Sequence, residues 1–241
     1  MDTTDTAEDA KLDWIEGDMP YSTLFGDHFY CRSDGRAECG HVFLGANHLP
    51  DRWSPGGAFA IGELGFGTGL NFCETLRTWR VARAAGQAPG TLGFTSFELY
   101  PMEREAIAKA LSRWPELTRE RDDLLALWPD KPEADVTLAF APEVTLRVIV
   151  GDALDRLSAR EDLFDAWYLD GFAPSRNPAM WSEELMAAVF DHTRPGGIFA
   201  TYAAAGFVRR NLMAAGFKVE RRPGFAGKRE MLRGTKPETF A

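Results

Sequence analysis

Little in this chain is built for an oxidising compartment or for a membrane. Its 241 residues hold three cysteines, Cys31, Cys39 and Cys73, so every disulfide scheme leaves one unpaired, and no C-x-x-C pair occurs. The four histidines, His28, His41, His48 and His192, never show the i, i+4 spacing of a helical metal pair, and no metal centre is expected. No run approaches the roughly 20 apolar residues that span a bilayer. The chain opens with Asp2, Asp5, Glu8, Asp9, Asp13, Glu16 and Asp18 and no apolar stretch, the opposite of a signal peptide's basic start and apolar middle. These absences point to a cytoplasmic protein with no membrane partner and a frayed acidic N-terminus.

The length and a 45% hydrophobic content suffice for one substantial α/β domain and fall short of two full enzyme domains. The expected division is an N-terminal extension over residues 1–57, packing on the core, and a main domain over residues 58–241. The formal charge of −9 argues against a nucleic-acid partner, but its distribution argues otherwise. Between Gly206 and Lys236 nine basic residues (Arg209, Arg210, Lys218, Arg221, Arg222, Lys228, Arg229, Arg233, Lys236) face two acidic ones, Glu220 and Glu230. That end can attract phosphate while the acidic remainder repels it. The same charges also suit the solvated faces of a terminal helix and hairpin.

Strand-like apolar runs alternate with helical patterns, as in a parallel sheet with crossover helices. The first strand is Ala58 to Glu63, ending in the loop Gly65-Phe66-Gly67-Thr68-Gly69. A helix follows from Leu70 to Ala84, with Leu70, Cys73, Leu76 and Val81 near helical spacing. A second strand runs from Gly93 to Glu98 and a helix from Met102 to Trp114, stopped by Pro115. Leu117 to Ala141, interrupted by Trp128-Pro129 and Pro132, reads as an insertion. Further strands are expected at Val144–Val150, Asp165–Asp170 and, after a turn at Pro195-Gly196, Gly197–Tyr202. A helix over Ala205–Ala215 and two antiparallel strands, Phe217–Arg222 and Lys228–Leu232, close the sheet at one side.

Open α/β sheets bind ligands beyond the carboxyl ends of their strands, near the reversal of strand order, so the polar residues ending the strands are the candidates. Gly65, Gly67 and Gly69 permit a tight turn and close backbone approach. The pattern is G-x-G-x-G and not the G-x-G-x-x-G of dinucleotide sites, and Glu98 lies well past the spacing such sites place their acid at. With Glu63 in front, this favours S-adenosylmethionine over a nicotinamide cofactor; a structural turn is the remaining reading. Glu98 is placed to accept from two ribose hydroxyls. Asp152 suits either the adenine amine or a helix N-cap. Asp170 opens a loop, Gly171-Phe172-Ala173-Pro174, held by glycine and proline, and rigid loops at strand ends carry function. Asn47, His48 and Tyr30 are candidates for the substrate side, though Tyr30 and His48 suit packing as well.

Several segments together resemble the methyltransferase domain of the MnmC family and its stand-alone relatives: Val42–Asn47 (VFLGAN), Glu63–Phe72 (ELGFGTGLNF), Phe97-Glu98, Leu169–Pro174 with Asn177-Pro178 and Met180-Trp181, Ala205–Arg210 (AGFVRR) and Gly227–Leu232 (GKREML). The resemblance runs from about Leu12 to Thr235. It implies a class I, Rossmann-like S-adenosylmethionine-dependent α/β fold, mostly parallel with an antiparallel C-terminal addition. It also implies methylation of the primary amine of 5-aminomethyl-2-thiouridine at the tRNA wobble position. Cofactor contacts would come from Glu63, Gly65, Phe66, Gly67, Gly69, Asn71, Glu98, Asp152, Ala153 and Asp170, and the catalytic pair would be Asp170 and Phe172. Pro174, Arg176, Trp181, Arg209, Arg210, Lys228 and Arg229 would meet the anticodon arm. Larger family members continue into a flavin-dependent oxidase that exposes the amine. No flavin is expected in this chain, and either another route or a separate enzyme would supply the aminomethyl group, or the oxidase is missing.

An ammonium has no lone pair, so the acceptor must be held neutral or lose its proton, with nitrogen within roughly 3 Å of the methyl carbon. A carboxylate also stabilises the ammonium, so Asp170 is expected to position the amine more than to act as a full general base. Base specificity would come from a slot around an unstacked wobble base shaped by Phe172 and Pro174, and phosphate contacts would add affinity. Two rivals remain: a small-molecule methyltransferase or aminopropyltransferase on the same fold, and a non-catalytic RNA- or partner-binding subunit. Intact Glu63, Glu98, Asp152 and Asp170 speak against the second.

Overall fold

The computed structural model describes residues 12–15 and 17–238. Asp2, Asp5, Glu8, Asp9 and Glu16 of the expected frayed terminus lie outside the described residues. The chain opens with a small antiparallel sheet of β1 (Leu12–Ile15), β2 (Met19–Ser22) and β3 (Asp27–His28), then α1 (Gly35–Cys39), which continues into a π-helical turn over Gly40–Gly45. The main body follows as β4 (Ala58–Leu64), α2 (Leu70–Ala84), β5 (Thr91–Glu98), α3 (Arg104–Leu111), α4 (Thr118–Leu127), β6 (Val136–Phe140), β7 (Val144–Val150), α5 (Ala153–Ser158) and β8 (Phe164–Leu169). It ends with α6 (Glu183–Asp191), β9 (Thr193–Thr201), α7 (Gly206–Ala215), β10 (Lys218–Pro223) and β11 (Glu230–Thr235).

The eight-stranded sheet has the order β10-β11-β9-β8-β4-β5-β7-β6. Its central pairs β9/β8, β8/β4, β4/β5 and β5/β7 are parallel, so their carboxyl ends share one edge, and the order reverses at β4. Two apolar layers cover it. On one face Phe72, Leu76 and Trp79 of α2 meet Phe94, Leu146 and Tyr168, and the Gly35–Trp53 segment adds Cys39, Phe43 and Trp53 to the same cluster. On the other, Leu157, Val189 and Leu212 of α5, α6 and α7 pack on Phe97, Trp167 and Phe199. Among the described residues no helix is long and apolar enough to cross a membrane.

The strands around the glycine loop fall within a residue or two of their sequence-based limits, and α2 matches its limits. Its inward face differs: Val81 is 60% exposed, and Trp79 and Ala82 are buried in its place. The supposed insertion is part of the fold. It contains α4 and the edge strand β6, antiparallel to β7, so the sheet carries antiparallel additions at both edges and not one. Trp128, taken as a break, is fully buried, stacks on Phe66 with ring centroids 5.0 Å apart and donates from Nε1 to the Met102 carbonyl. β9 begins at Thr193, so Pro195-Gly196 lies inside it, beside an irregular register with β8 that tolerates proline.

Gly62, at the middle of β4, has no room for a methyl group, because an added Cβ would sit 2.7 Å from two ring carbons of fully buried Trp167. Gly62→Ala should therefore lower unfolding free energy by about 1–3 kcal/mol in urea titration; an unchanged midpoint would show that this packing yields freely.

Candidate active site

A cavity of about 880 Å³ opens at the carboxyl edge of the parallel strands. On its β4, β5 and β7 side the wall includes Gly65, Phe66 and Gly67 of the loop, Asn71, Glu98, and Asp152 with Ala153. On its β8 side it includes Asp170, Phe172 and Arg176, with Lys228 from the turn before β11. Sequence positions more than a hundred residues apart thus meet at one strand edge.

The glycine loop has left-handed backbone where it was expected to need it: φ is 83° at Gly65 and 75° at Gly69. A Cβ at Gly69 would also lie 2.9 Å from the Phe66 ring. Gly69 sits behind the cavity wall, as the residue preceding α2. Glu98 binds this loop directly, Oε2 accepting from the Gly67 N–H at 2.9 Å and Oε1 from the Tyr100 N–H at 2.8 Å. Asp152 caps α5, Oδ1 accepting from the N–H groups of Leu154 at 2.9 Å and Asp155 at 3.2 Å, while the residue also lines the cavity. The capping reading therefore holds and leaves the second oxygen to a ligand.

Glu63 is fully buried beneath the wall. The Asn71 amide nitrogen bridges the two carboxyls, donating to Glu63 Oε1 at 2.9 Å and to Asp170 Oδ2 at 2.8 Å. Burial pushes the Glu63 carboxyl well above the usual carboxylate range, the Asn71 bond opposing it. Burial likewise raises Asp170 from 3.8 to about 7, against the N–H of Gly171 and the Asn71 amide; the charge of Glu38 adds to the rise and Lys228 lowers it. The amide spends its donors on two acids whose charged forms would repel each other, so protonation of at least one is the low-energy arrangement.

The loop after Asp170 is tied down from several elements. Tyr202 Oη donates to the Gly171 carbonyl at 2.6 Å, the Ala173 N–H to Asp27 Oδ2 at 2.9 Å, and Trp181 Nε1 to the Phe172 carbonyl at 3.1 Å. Trp181 is fully buried and supports the loop from behind, while Pro174, expected to shape the base slot, is absent from the wall. The Phe172 ring stacks on Phe25 with centroids 4.6 Å apart and meets Phe29 edge-on at 5.1 Å. Arg209 and Arg210 lie on α7 and Arg229 on the β10–β11 turn, outside the cavity. Part of the basic segment is already paired: Arg221 with Glu230, Arg222 and Arg233 with Glu220, and Lys228 with Glu38.

Residues that sequence reasoning passed over include Phe25, Phe29, Glu38 and Tyr202, all on the wall. Tyr202, which ends the expected Gly197–Tyr202 strand, and the four-residue spacing of Phe25 and Phe29 offered a signal; Glu38 offered none. Tyr30 does line the cavity, packed edge-on against Trp114, whereas Asn47 is buried, donating to the Phe43 and Trp167 carbonyls, and His48 lies off the wall.

The strand-end acids and glycine cradle are what a nucleoside with an amino-acid tail requires, hydroxyl and ammonium donors meeting carboxylates. Residues 115–237 match a family described as S-adenosyl-L-methionine-dependent methyltransferase. The chain belongs to this family. S-adenosyl-L-methionine is accordingly the cofactor of this methyltransferase. It is 44% identical over 230 residues to the tRNA 5-methylaminomethyl-2-thiouridine biosynthesis bifunctional protein MnmC of Chromohalobacter salexigens, covering 93% of this chain and 32% of that protein. The identity to the protein of that name from Caulobacter sp. is 42%, over 96% of this chain and 39% of the relative. The chain thus spans about a third of the length of these curated relatives, 32% and 39%. The crystal structure of MNMC2 from Aquifex aeolicus superposes with a TM-score of 0.72 at 18% identity, covering 97% of this chain and 74% of that one, which shows the shared fold.

The raised carboxyl of Asp170 makes stability depend on pH. Unfolded, the group ionises near 3.8; folded, it keeps its proton to about 7, so its contribution is full below 3.8 and is lost as pH rises towards 7. Asp170→Asn removes this loss. The difference in melting temperature should therefore move in the variant's favour as pH rises across that window, and parallel pH profiles would contradict the assignment.

Proposed function

We propose that this chain transfers the methyl group of S-adenosyl-L-methionine to the aminomethyl nitrogen of 5-aminomethyl-2-thiouridine at the tRNA wobble position, giving 5-methylaminomethyl-2-thiouridine. The observation that carries this reading is the loop Asp170–Phe172: a carboxyl of raised pKa beside aromatic rings, in the same cavity as the glycine loop. The relatives' names supply the nucleoside.

The cofactor supplies an electrophilic methyl carbon on a sulfonium. Glu98, with lone pairs left beyond its two backbone bonds, would take the ribose hydroxyls, and Asp152 the adenine amine through its free oxygen. Gly65, Gly67, Phe66 and Ala153 would bound the nucleoside, and Asn71 with Glu63 would hold Asp170 towards the reacting atoms. Asp170 would accept a hydrogen bond from the acceptor nitrogen, and its pKa near neutrality also suits it to take up a proton. Phe172, backed by Phe25 and Phe29, would face the unstacked base, the usual way single-stranded RNA loops are read.

Residues 1–57 would then be the N-terminal extension, its described part supplying wall residues such as Phe25, Phe29 and Glu38, and residues 58–241 the methyltransferase domain. Arg176 at the mouth, with Arg209, Arg210 and Arg229 nearby in the C-terminal segment, would bind anticodon-arm phosphates. The chemistry calls for neither metal nor flavin from this chain. A further activity would supply the aminomethyl group, and the reaction belongs in the cytoplasm with tRNA.

Transfer of labelled methyl from S-adenosyl-L-methionine into tRNA from cells lacking this activity should place label in 5-methylaminomethyl-2-thiouridine, and Asp170→Ala should cut the rate by about a hundredfold or more while cofactor still binds. Tight cofactor binding with no label in tRNA would reject the reading and favour a small-molecule acceptor.

A further inference from the structure

Beside Asp170, away from the glycine loop, one wall of the cavity is charged in a way the methyl-transfer chemistry above does not use. Glu38 of α1 is 8% exposed, and its Oε1 accepts from Lys228 Nζ at 2.7 Å. The same ammonium lies 4.1 Å from the centre of the Tyr202 ring. Tyr202 is the residue that pins Gly171, and Glu38, Tyr202 and Lys228 all line the cavity with Asp170. A carboxylate and an aromatic face around one ammonium are the two groups that recognise a primary ammonium.

We propose that this is the docking site of the acceptor's aminomethyl group, and that Lys228 is an internal stand-in which the substrate displaces. Three features support the exchange. The Lys228 side chain is 42% exposed, whereas that of Glu38 is 11% exposed, so the cation can swing out to solvent while the anion stays. The incoming group is chemically the same as the outgoing one, so Glu38 is never left buried without a partner, which would be the costly state. The site also lies on the acceptor side: the glycine loop, Glu98 and Asp152 follow β4, β5 and β7, while Tyr202 follows β9 and Lys228 precedes β11, across Asp170 in the sheet order. An amine arriving here stands between Glu38 and Asp170, and transfer of its extra proton to Asp170 leaves the neutral nucleophile. On this inference Lys228 serves amine recognition and not phosphate binding.

The inference rests on the aminomethyl acceptor proposed above, and steady-state methylation of tRNA with cofactor affinity measured separately tests both. Glu38→Gln keeps the shape and removes the charge; it should raise KM for tRNA roughly tenfold or more while the cofactor Kd stays unchanged, and Glu38→Asp should recover part of the loss. Lys228→Met removes the competing cation and should lower KM for tRNA by about threefold. A Lys228→Met variant whose KM rises, with a weaker salt dependence, would make Lys228 a phosphate contact and overturn the exchange. So would a Glu38→Gln variant, folded by its circular dichroism, with unchanged KM. Wild-type protein that methylates no tRNA would overturn the acceptor itself, and this inference with it.

Discussion

The Asn71 amide is the contact on which the site depends. Its nitrogen stands between Glu63 at the end of β4 and Asp170 after β8, the two neighbouring strands at the reversal of strand order. Neither acid could sit there alone without cost: a buried carboxyl needs either a proton or donors, and the single amide gives each acid one hydrogen bond. The raised pKa of both groups follows from this shared, water-poor position. Through it the rigid interior of β4 sets the direction of a side chain on a loop. Glu98 extends the arrangement to β5 by holding the Gly67 N–H.

The half of the cavity around the glycine loop was legible in the sequence because it is local. Gly65, Gly67, Gly69 and Glu63 stand within seven residues, and Glu98 and Asp152 each close a clear strand. The proposed acceptor half was legible only in part: Asp170, Phe172, Arg176 and Lys228 were read from the sequence, but the residues that complete it are brought in by tertiary contacts. Glu38 and Lys228 are 190 positions apart, and the Phe25–Phe172 stack joins the N-terminal sheet to the loop after β8. A glutamate on a five-residue helix reads as a solvated charge until its surroundings are known. The segment between α3 and β7 was misread for a related reason: prolines at 129 and 132 suggested a break, while burial of Trp128 against Phe66 overrides that local signal.

Charge resolves in the same way. The basic C-terminal segment suited either phosphate binding or solvated faces; its two acids hold Arg221, Arg222 and Arg233, and Lys228 turns inward to Glu38. Outside those pairs lie Arg209 and Arg210 on α7, Lys218 on β10 and Arg229 beside Lys228, while Arg176 lines the cavity. On the proposed function a few phosphate contacts close to the pocket would position an RNA loop, while selection of the base would fall to the aromatic and charged wall.

The most direct test of the account is calorimetry of S-adenosyl-L-methionine binding near pH 7 in buffers of different ionisation enthalpy. A cationic cofactor beside a carboxyl that titrates near 7 favours the ionised form, so binding should release a fraction of a proton, and this release should vanish in Asp170→Asn. A binding enthalpy that is independent of buffer, or equal proton release in the variant, would contradict the claim that Asp170 waits half-protonated beside the cofactor.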